Sequence, residues 1–542
     1  MRQNALRSLR RLLPPAMAIG LGLFASACSV IVDTNADQCE TDADCAAIGG
    51  RVCSADRVCV ASSGQSCSAN SECVAQLGKE YVCAVSEGVC KNLRSDECQT
   101  LVGLPAADGA MVIGAIGPTS GLDEGIGLPI ENSIRVALGD FAEASESLSD
   151  PPRPMVMVGC NDDSSSELAV AAAEHLVSVG SQAIIGAAFS GITLAVKDVT
   201  IPAGALLISP SATAVGIGEL VDNSLVWRTA PPDNYQAKAI SLYIDQYIRP
   251  QVTAPAPLKV AVLHLGDAYG SELALALEDE MILNGQRPTH STNVGNYLRF
   301  DYGDPYDDTM GNPAKFEEAV TQTLALAPHI IVLAGFSEAV TDVFGPIEEG
   351  WNATDPRPFY VMTDGVVGSA LWETIGQNGD LRLRVTGTTP GRATSNPVFA
   401  AFAENYNGSF SAGGAEVFGS AEAYDAAYLI AYAAATLGND PPTGQRLAQA
   451  LGQMVPPGTP IDAGPAQIPD ALELLRSGGK FDFTGASGPL DFDLGKGEAA
   501  ADIQIWCLPS AADGSAQAST RSGLFLDAAD ETIKGMIDSV CN

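Results

Sequence analysis

The feature that most constrains this fold is an alternation of short apolar segments with helix-like segments that begins near residue 110. AMVIGAIG, PMVMVGC, AIIGAAF and ALLISP have the character of buried strands, and amphipathic stretches separate them. The alternation restarts with KVAVLHLG, HIIVLAGF and PFYVMTDG. Short strands joined by helices form right-handed β-α-β units on a parallel sheet. The two runs therefore predict an α/β protein with two lobes.

The loops that follow these apolar segments are where function is expected. In open α/β sheets, ligands bind beyond the carboxyl ends of the parallel strands. The loops at those ends read GPTSG, AAFSG, SPSAT, GDAYG, AGFSE and TDG.

Seven motifs at and between these loops resemble the type I periplasmic binding proteins. Their order matches the leucine/isoleucine/valine-binding branch, which serves branched-chain amino acid ABC transporters, over roughly residues 108–510. The motifs are IGPTSG (116–121), IIGAAFSG (184–191), LISPSAT (207–213), WRTAPPDNYQ (227–236), VAVLHLGDAYG (260–270), AYDAAYL (423–429) and FTGASGPLDFDLGKG (483–497).

The resemblance implies the two-lobed type I fold, in which two doubly wound parallel-sheet lobes are joined by hinge crossings. A disulfide-rich N-terminal region precedes them. The expected divisions are a lipoprotein signal peptide at 1–27, a Cys-rich repeat stalk at 28–100, lobe 1 at 108–234 and 392–488, and lobe 2 at 235–391 and 489–542.

The first lobe is expected to hold the carboxylate of an amino-acid ligand. Ser190 follows a strand and opens a helix, where its hydroxyl and nearby N–H groups can receive a carboxylate. The resemblance implies that Ser211, Ala212 and Thr213 grip the carboxylate and the ammonium through hydroxyls and main chain. Helix capping uses the same donors and is the alternative reading of both loops.

The second lobe is expected to close over the ammonium. The resemblance implies that Tyr269 and Phe336 cover the cationic end and that Asp364 pairs with it, although Phe336 stands where Tyr is common. Asp364 also fits a residue that merely starts the following helix. In the first loop, Asp123 and Glu124 stand where the family commonly has an apolar residue; they favour a polar or cationic ligand, or they face solvent.

The N-terminus has the pattern of an export signal. Residues 1–27 contain four arginines and no acid, and the apolar stretch Leu12–Phe24 is too short to span a bilayer. Cys28 follows a small-residue run, and FASAC resembles a bacterial lipobox in which this cysteine is lipidated. An ordinary signal peptide with a coincidental cysteine is the alternative. The prediction is a membrane-anchored lipoprotein on the periplasmic or cell-surface side.

The cysteines predict a disulfide framework. An internal repeat aligns QCETDADC with SCSANSEC and contains Cys39, Cys45, Cys53 and Cys59 in one copy and Cys67, Cys73, Cys83 and Cys90 in the other. Two bridges are expected in each copy, with three possible pairings apiece. Cys98, Cys160, Cys507 and Cys541 are expected to pair among themselves, most plausibly Cys507 with Cys541. The sequence contains no C-x-x-C pair, so the cysteines do not indicate a metal site.

The net charge and the motifs argue against two classes of function, nucleic-acid binding and catalysis. With 65 acidic against 29 basic residues and a net charge of -36, the surface repels nucleic acid. The sequence contains no catalytic or cofactor-binding motif of the common hydrolase, zinc or phosphate classes, which predicts a non-enzyme without a cofactor.

Three functions remain. The first is a solute-binding lipoprotein that captures an amino acid or related small amide by hinge closure and delivers it to an ABC permease. The alternatives are a ligand-sensing receptor of the same fold that signals through a partner protein, and a structural surface protein with a decayed cleft.

Overall fold

The computed structural model describes residues 39, 51–53, 57, 59–61, 66–85, 87–253, 257–306, 312–352, 354–391 and 396–541. The predicted signal peptide, Cys28 and Cys45 lie outside these residues. The chain divides into two units, residues 1–62 and 63–542. In the first unit, β1 (Arg51–Cys53) pairs antiparallel with β2 (Cys59–Ala61), and Cys39 is disulfide-bonded. The pairing within the first repeat otherwise stays a prediction.

The second Cys-rich repeat is a small disulfide-bonded module. It consists of α1 (Asn70–Leu77), β3 (Tyr81–Ala84) and β4 (Val89–Asn92). The bridges join its first cysteine to its third, Cys67 to Cys83, and its second to its fourth, Cys73 to Cys90. A segment with so few large apolar side chains needs such cross-links to hold its shape.

The second Cys-rich repeat packs against the first lobe. The prediction that residues 28–100 form a stalk is therefore wrong for this repeat. Val82 and Leu93 belong to a core cluster of the first lobe. The Lys91 ammonium donates to the Ser178 carbonyl (2.7 Å), and the His175 ring contacts the Leu93 carbonyl (2.9 Å). The few apolar residues of the repeat are buried where they meet the lobe, which a composition argument does not reveal.

The first lobe contains a six-stranded sheet with the order β10-β9-β8-β6-β7-β5. All neighbours are parallel except β5, which is antiparallel to β7 and is tied to it by the Cys98–Cys160 bridge. The strands are β5 (Cys98–Gly103), β6 (Met111–Gly117), β7 (Met155–Asn161), β8 (Ala183–Ile185), β9 (Leu206–Ser209) and β10 (Val226–Arg228). The connecting helices are α2 (Glu124–Ser147), α3 (Ser166–Ser178) and α4 (Ser190–Ala203).

The second lobe begins after β10 and repeats the alternation. Its first five strands are β11 (Val260–His264), β12 (Tyr297–Asp301), β13 (Ile330–Ala334), β14 (Phe359–Met362) and β15 (Val385–Pro390). Its helices are α5 (Asp233–Tyr243), α6 (Ala268–Glu280), α7 (Phe316–Leu326), α8 (Gly345–Gly350), α9 (Ser369–Ile375) and α10 (Gly379–Arg384). These five strands are parallel, and all except the edge strand β12 are largely buried, as expected for strands covered on both faces.

The chain then returns to the first lobe before it completes the second. The returning elements are α11 (Pro397–Ser409), α12 (Ser420–Thr436), α13 (Gly444–Leu451), β16 (Thr459–Asp462), α14 (Ile468–Arg476) and β17 (Phe481–Thr484). Helix α12 is buried from Ser420 to Ala435 and packs against α2, which explains its run of alanines. The last strands, β18 (Ile503–Cys507), β19 (Thr520–Asp527) and β20 (Thr532–Gly535), extend the second sheet in antiparallel fashion.

The C-terminal part of the chain contains a predicted disulfide and a crossing between the lobes that lies later than predicted. The Cys507–Cys541 bridge favoured by the sequence is present. The third crossing between the lobes comes later than the predicted boundary at residue 489, because Leu490, Phe492 and Ala499 pack in the core of the first lobe. The predicted fold class, two α/β lobes with hinge crossings, is confirmed. Among the described residues, no helix is both long enough and apolar enough to cross a bilayer.

Candidate functional site: the cleft between the lobes

A cleft of about 720 Å³ lies where the two lobes face each other. It sits beyond the carboxyl ends of β6, β8 and β9 in the first lobe and of β11, β13 and β14 in the second, as the strand order requires. Seven of the predicted site residues line it: Asp123, Ser190, Ser211, Thr213, Tyr269, Phe336 and Asp364.

Two predicted residues do not line the cleft. Ala212 is buried, and its N–H donates to the Ser209 hydroxyl (3.0 Å). Glu124 is exposed at the start of α2. Asp123 is buried instead and accepts a hydrogen bond from the Ser164 hydroxyl (2.7 Å); its burial raises the pKa of the carboxyl. Of the two acids in the first loop, Asp123 faces the cleft and Glu124 faces solvent.

The first-lobe side of the cleft presents the N-terminus of α4. The capping position is Phe189, which makes no side-chain cap, and Ser190 is already the first helical residue. The Ser190 hydroxyl accepts from the N–H groups of Thr213 (3.2 Å) and Ala214 (3.1 Å) and so ties the two binding loops together. The first-turn N–H groups of a helix lack intrahelical partners, and an anion is their natural acceptor. This geometry disfavours simple capping by Ser190.

The loop after β9 is held by hydroxyl bonds to the preceding loop. The Ser211 hydroxyl donates to the Ala188 carbonyl (2.7 Å), and the Ser209 hydroxyl donates to the Ala187 carbonyl (2.6 Å). Thr213 is buried, and its carbonyl accepts from the N–H of Asp233 (2.8 Å). These bonds fix the conformation of the loop.

The second-lobe side presents the carboxylate of Asp364. Its Oδ1 accepts from the Gln236 amide (2.7 Å) and faces the Tyr269 hydroxyl at 3.3 Å, while that hydroxyl lies closer to the Thr363 Oγ1 (2.7 Å). Burial raises the pKa of Asp364, and the bonds from Gln236 and Tyr269 oppose that rise. Asp364 also begins a short 3₁₀ turn, Asp364–Val366, as the alternative reading of the sequence expected.

A second acid lies near Asp364. Asp233, the first residue of α5, is buried beside Thr213 and Asp364. Burial and the charge of Asp364 raise the pKa of Asp233 well above its ordinary value. Asp233 therefore takes up a proton more readily than an ordinary aspartate does.

Aromatic rings from both lobes close one wall of the cleft. The Phe336 ring stacks on Tyr269 with 5.6 Å between centroids. Phe189, from the first lobe, meets the Phe336 ring at 4.4 Å. Sequence reasoning missed Phe189, although its place directly before Ser190 in AAFSG was a usable signal.

Arg228 supports the site from behind and was also missed. It is fully buried at the end of β10 and donates to the carbonyls of Ala212 (3.3 Å) and Ala214 (2.7 Å). Its guanidinium also pairs with the Glu498 carboxylate, close to the third crossing between the lobes. Arg228 thus turns the loop carbonyls away from the cleft.

Comparisons with known proteins identify the family of the chain. Residues 130–508 match the family described as the receptor family ligand binding region. The Leu/Ile/Val-binding protein BraC3 of Rhizobium johnstonii is 26% identical over 197 residues, which cover 36% of this chain and 50% of that protein. The chemotactic signal transduction system substrate-binding protein BasB of Halobacterium salinarum is 26% identical over 324 residues, or 57% of this chain and 65% of that protein.

A solved structure shows the same fold. The branched-chain amino acid transporter substrate-binding protein LivJ from Streptococcus pneumoniae, in complex with isoleucine, superposes with a TM-score of 0.55 at 19% identity, covering 76% of this chain and 99% of that one. The chain spans about half the length of the first curated relatives it matches. Since the family match covers well over half of its residues, the chain belongs to the receptor family ligand binding region, and its likeness is to the leucine/isoleucine/valine-binding branch of the type I periplasmic binding proteins.

Proposed function

We propose that this protein is an extracytoplasmic solute-binding protein that captures an amino acid or a related small amide between its two lobes. The observation that carries the proposal is the opposition of two charged features across one cleft. The uncapped N-terminus of α4 at Ser190 lies on the first lobe, and the Asp364 carboxylate lies on the second. An α-amino acid zwitterion complements both, since its carboxylate suits the helix end and its ammonium suits the acid.

Hinge closure follows from this arrangement. The lobes are connected by three crossings of the chain, after β10, after β15 and before β18. A ligand that touches both lobes makes its full set of bonds only when they are together, so its binding energy favours the closed state. The contact between Phe189 and Phe336 then covers the ligand.

The proposal is tested by a thermal-shift screen of the purified protein against the proteinogenic amino acids, their amides and the corresponding amines and carboxylic acids. An amino acid should raise the melting temperature, and its des-amino and decarboxylated analogues should not. Calorimetry on the best compound gives its affinity and stoichiometry. If no zwitterion shifts the melting temperature while a simple carboxylate does, the amino-acid assignment is wrong.

Delivery to an ABC permease from a lipid anchor is part of the same proposal. Cys28 lies outside the described residues, and its support is the lipobox pattern in the sequence. Cys28→Ser should move the protein from the detergent phase to the aqueous phase in phase partitioning, and Arg287→Gln, at an exposed ion pair, is the control that keeps the anchor. Unchanged partitioning of Cys28→Ser would show that the lipobox interpretation is wrong.

Ligand sensing through a partner protein is the second candidate. The similarity to BasB, whose name assigns it to chemotactic signal transduction, favours it. Deleting the gene separates the two functions: a transport protein is needed for uptake of the radiolabelled ligand, and a sensor is needed for the response to that ligand while uptake continues.

A further inference from the structure

The C-terminal segment beyond the family match forms part of the cleft. The match ends at residue 508, and the chain continues through β19 and β20 to the Cys507–Cys541 bridge. Residues 518–521, at the start of β19, line the cleft. This chain therefore adds a wall that lies outside the family's matched region.

The sheet register places Arg521 on that wall. Trp506 on β18 is paired with Gly387 on β15 and with Arg521 on β19, and Gly387 is paired with Met362 on β14. Four adjacent strands thus carry these residues side by side. At about 4.8 Å per strand, the Arg521 backbone lies roughly 14 Å from β14, the strand that leads to Asp364.

The indole of Trp506 lies between these two positions and is fixed. A Cβ on Gly387 would overlap the Trp506 ring, so the ring packs directly against the glycine. The ring nitrogen donates to the Thr388 carbonyl (3.2 Å). Trp506 also lines the cleft and offers an apolar surface along which the chain of a ligand can lie.

Among the described residues that line the cleft, Arg521 carries the positive side-chain charge, and the acids are Asp123, Asp364 and Glu416. Its guanidinium is 3.9 Å from the Glu416 carboxylate, with relative exposures of 30% for Arg521 and 61% for Glu416. A half-exposed pair at that separation contributes little. Among the described residues, the Arg521 guanidinium donates no hydrogen bond at normal distance, so its planar fork is available to a carboxylate.

We propose that Arg521 forms a second anion subsite and that the ligand is an amino acid whose side chain ends in a carboxylate. This inference rests on the proposed function, because it takes the α-carboxylate at α4 and the ammonium at Asp364 as given. The Arg521 side chain extends over part of the distance to Asp364. A short, linear ligand side chain lying along Trp506 would span the rest of that distance. A bidentate bond between a guanidinium and a carboxylate gives both strength and orientation.

A different role for Arg521 gives different results. Glu416 precedes α12 on the first lobe and Arg521 lies on the second, so their pair also spans the cleft. If the pair is only a latch between the lobes, Arg521→Gln and Glu416→Gln should weaken every ligand alike. If Arg521 is an anion subsite, the two substitutions should act in opposite directions, because Glu416 competes with the ligand for the guanidinium.

The experiment is calorimetry on the full protein with matched pairs of probes. L-glutamate and L-2-aminoadipate are the acidic members, and L-glutamine and L-norleucine are the neutral ones. Arg521→Gln should lower the affinity for the acidic pair by about tenfold or more and change that for the neutral pair by less than about twofold. Glu416→Gln should raise the affinity for the acidic pair. Arg287→Gln, at an exposed ion pair with Asp279 in the second lobe, is the control and should change nothing.

The outcomes separate the two proposals. If neutral amino acids bind as tightly as acidic ones and Arg521→Gln weakens both equally, the anion subsite is wrong while amino-acid capture stands. If the wild-type protein binds none of the probes or any other amino acid, capture of an amino acid is wrong and the subsite fails with it.

Discussion

Removing the carboxylate of Asp364 is the sharpest test of how the cleft holds its ligand. Asp364 accepts from the Gln236 amide and faces the Tyr269 hydroxyl, so both groups are oriented toward it. Asp364→Ala removes the countercharge of a ligand ammonium inside a cleft from which closure excludes water. Asp364→Asn keeps the size and an acceptor for Gln236, and it separates the loss of charge from the loss of packing.

The expected loss follows from the cost of leaving a desolvated ammonium without its partner. That cost is about 2 to 4 kcal/mol, or about a 30- to 700-fold increase in Kd for Asp364→Ala. Thr213→Val removes a hydroxyl and keeps the shape, so its cost is smaller, about 1 to 2 kcal/mol. Calorimetry at neutral pH with an amino acid found by screening measures both, and thermal denaturation of each variant without ligand checks that it is folded.

The pH dependence of ligand affinity tests the contact between Asp364 and the ammonium in a second way. Because burial raises the pKa of Asp364, acidification neutralises it at a higher pH than an ordinary aspartate. Affinity should therefore fall as the pH drops through that raised pKa in the wild-type protein, and this step should be absent from Asp364→Asn. If Asp364→Ala binds as well as wild type while Asp123→Ala fails, the ammonium lies against the first loop and the assignment is reversed.

Three further predictions concern stability. Replacing Cys541 with Ser opens a bridge that spans 34 residues to Cys507, which should cost about 4 kcal/mol of unfolding free energy and lower the melting temperature. Burial raises the pKa of Asp162 to about 7, so its proton stabilises the folded state at low pH and that stabilisation is lost as the pH rises from about 4 to about 7; Asp162→Asn should flatten this part of the melting profile. Arg228→Met leaves the buried Glu498 carboxylate without its ion-pair partner and should lower the free energy of unfolding, measured with denaturant, by about 3 to 5 kcal/mol. Arg228→Lys keeps the positive charge and should lose only part of that free energy.

The site residues that sequence reasoning found share one property. Ser190, Thr213, Tyr269 and Asp364 each follow a continuous apolar strand, and the carboxyl ends of parallel strands meet at one edge. Strand periodicity and local motifs therefore locate them without knowledge of which strands are neighbours. Ala212 shows the limit of this reasoning, since it lies in the same motif but its side chain is buried away from the cleft.

Arg521 could not be predicted from the sequence, because its position depends on pairing across the sheet. Arg521 reaches the cleft only because β19 pairs with β18 in a register that sets it beside Trp506. That register is fixed by contacts between segments with no shared motif, and the segment lies beyond the resemblance to known binders. The place of the second Cys-rich repeat on the first lobe was hidden for a similar reason, since Val82 and Leu93 are too few to form a recognisable apolar pattern.

The charges in the cleft argue for selection against neutral ligands. The net charge of -36 repels anions at a distance, but physiological salt screens it beyond about 8 Å, so the groups on the cleft wall decide what is held. Closure over a neutral amino acid would bring Arg521 out of water with Glu416 at 3.9 Å as its acidic neighbour. An acidic amino acid supplies the missing carboxylate, while its α-carboxylate faces the α4 N-terminus and its ammonium faces Asp364. Specificity then comes from the cost of a poorly paired guanidinium as much as from the bonds it makes. The rate of association of acidic ligands should rise with ionic strength, because salt screens their repulsion by the net charge of -36.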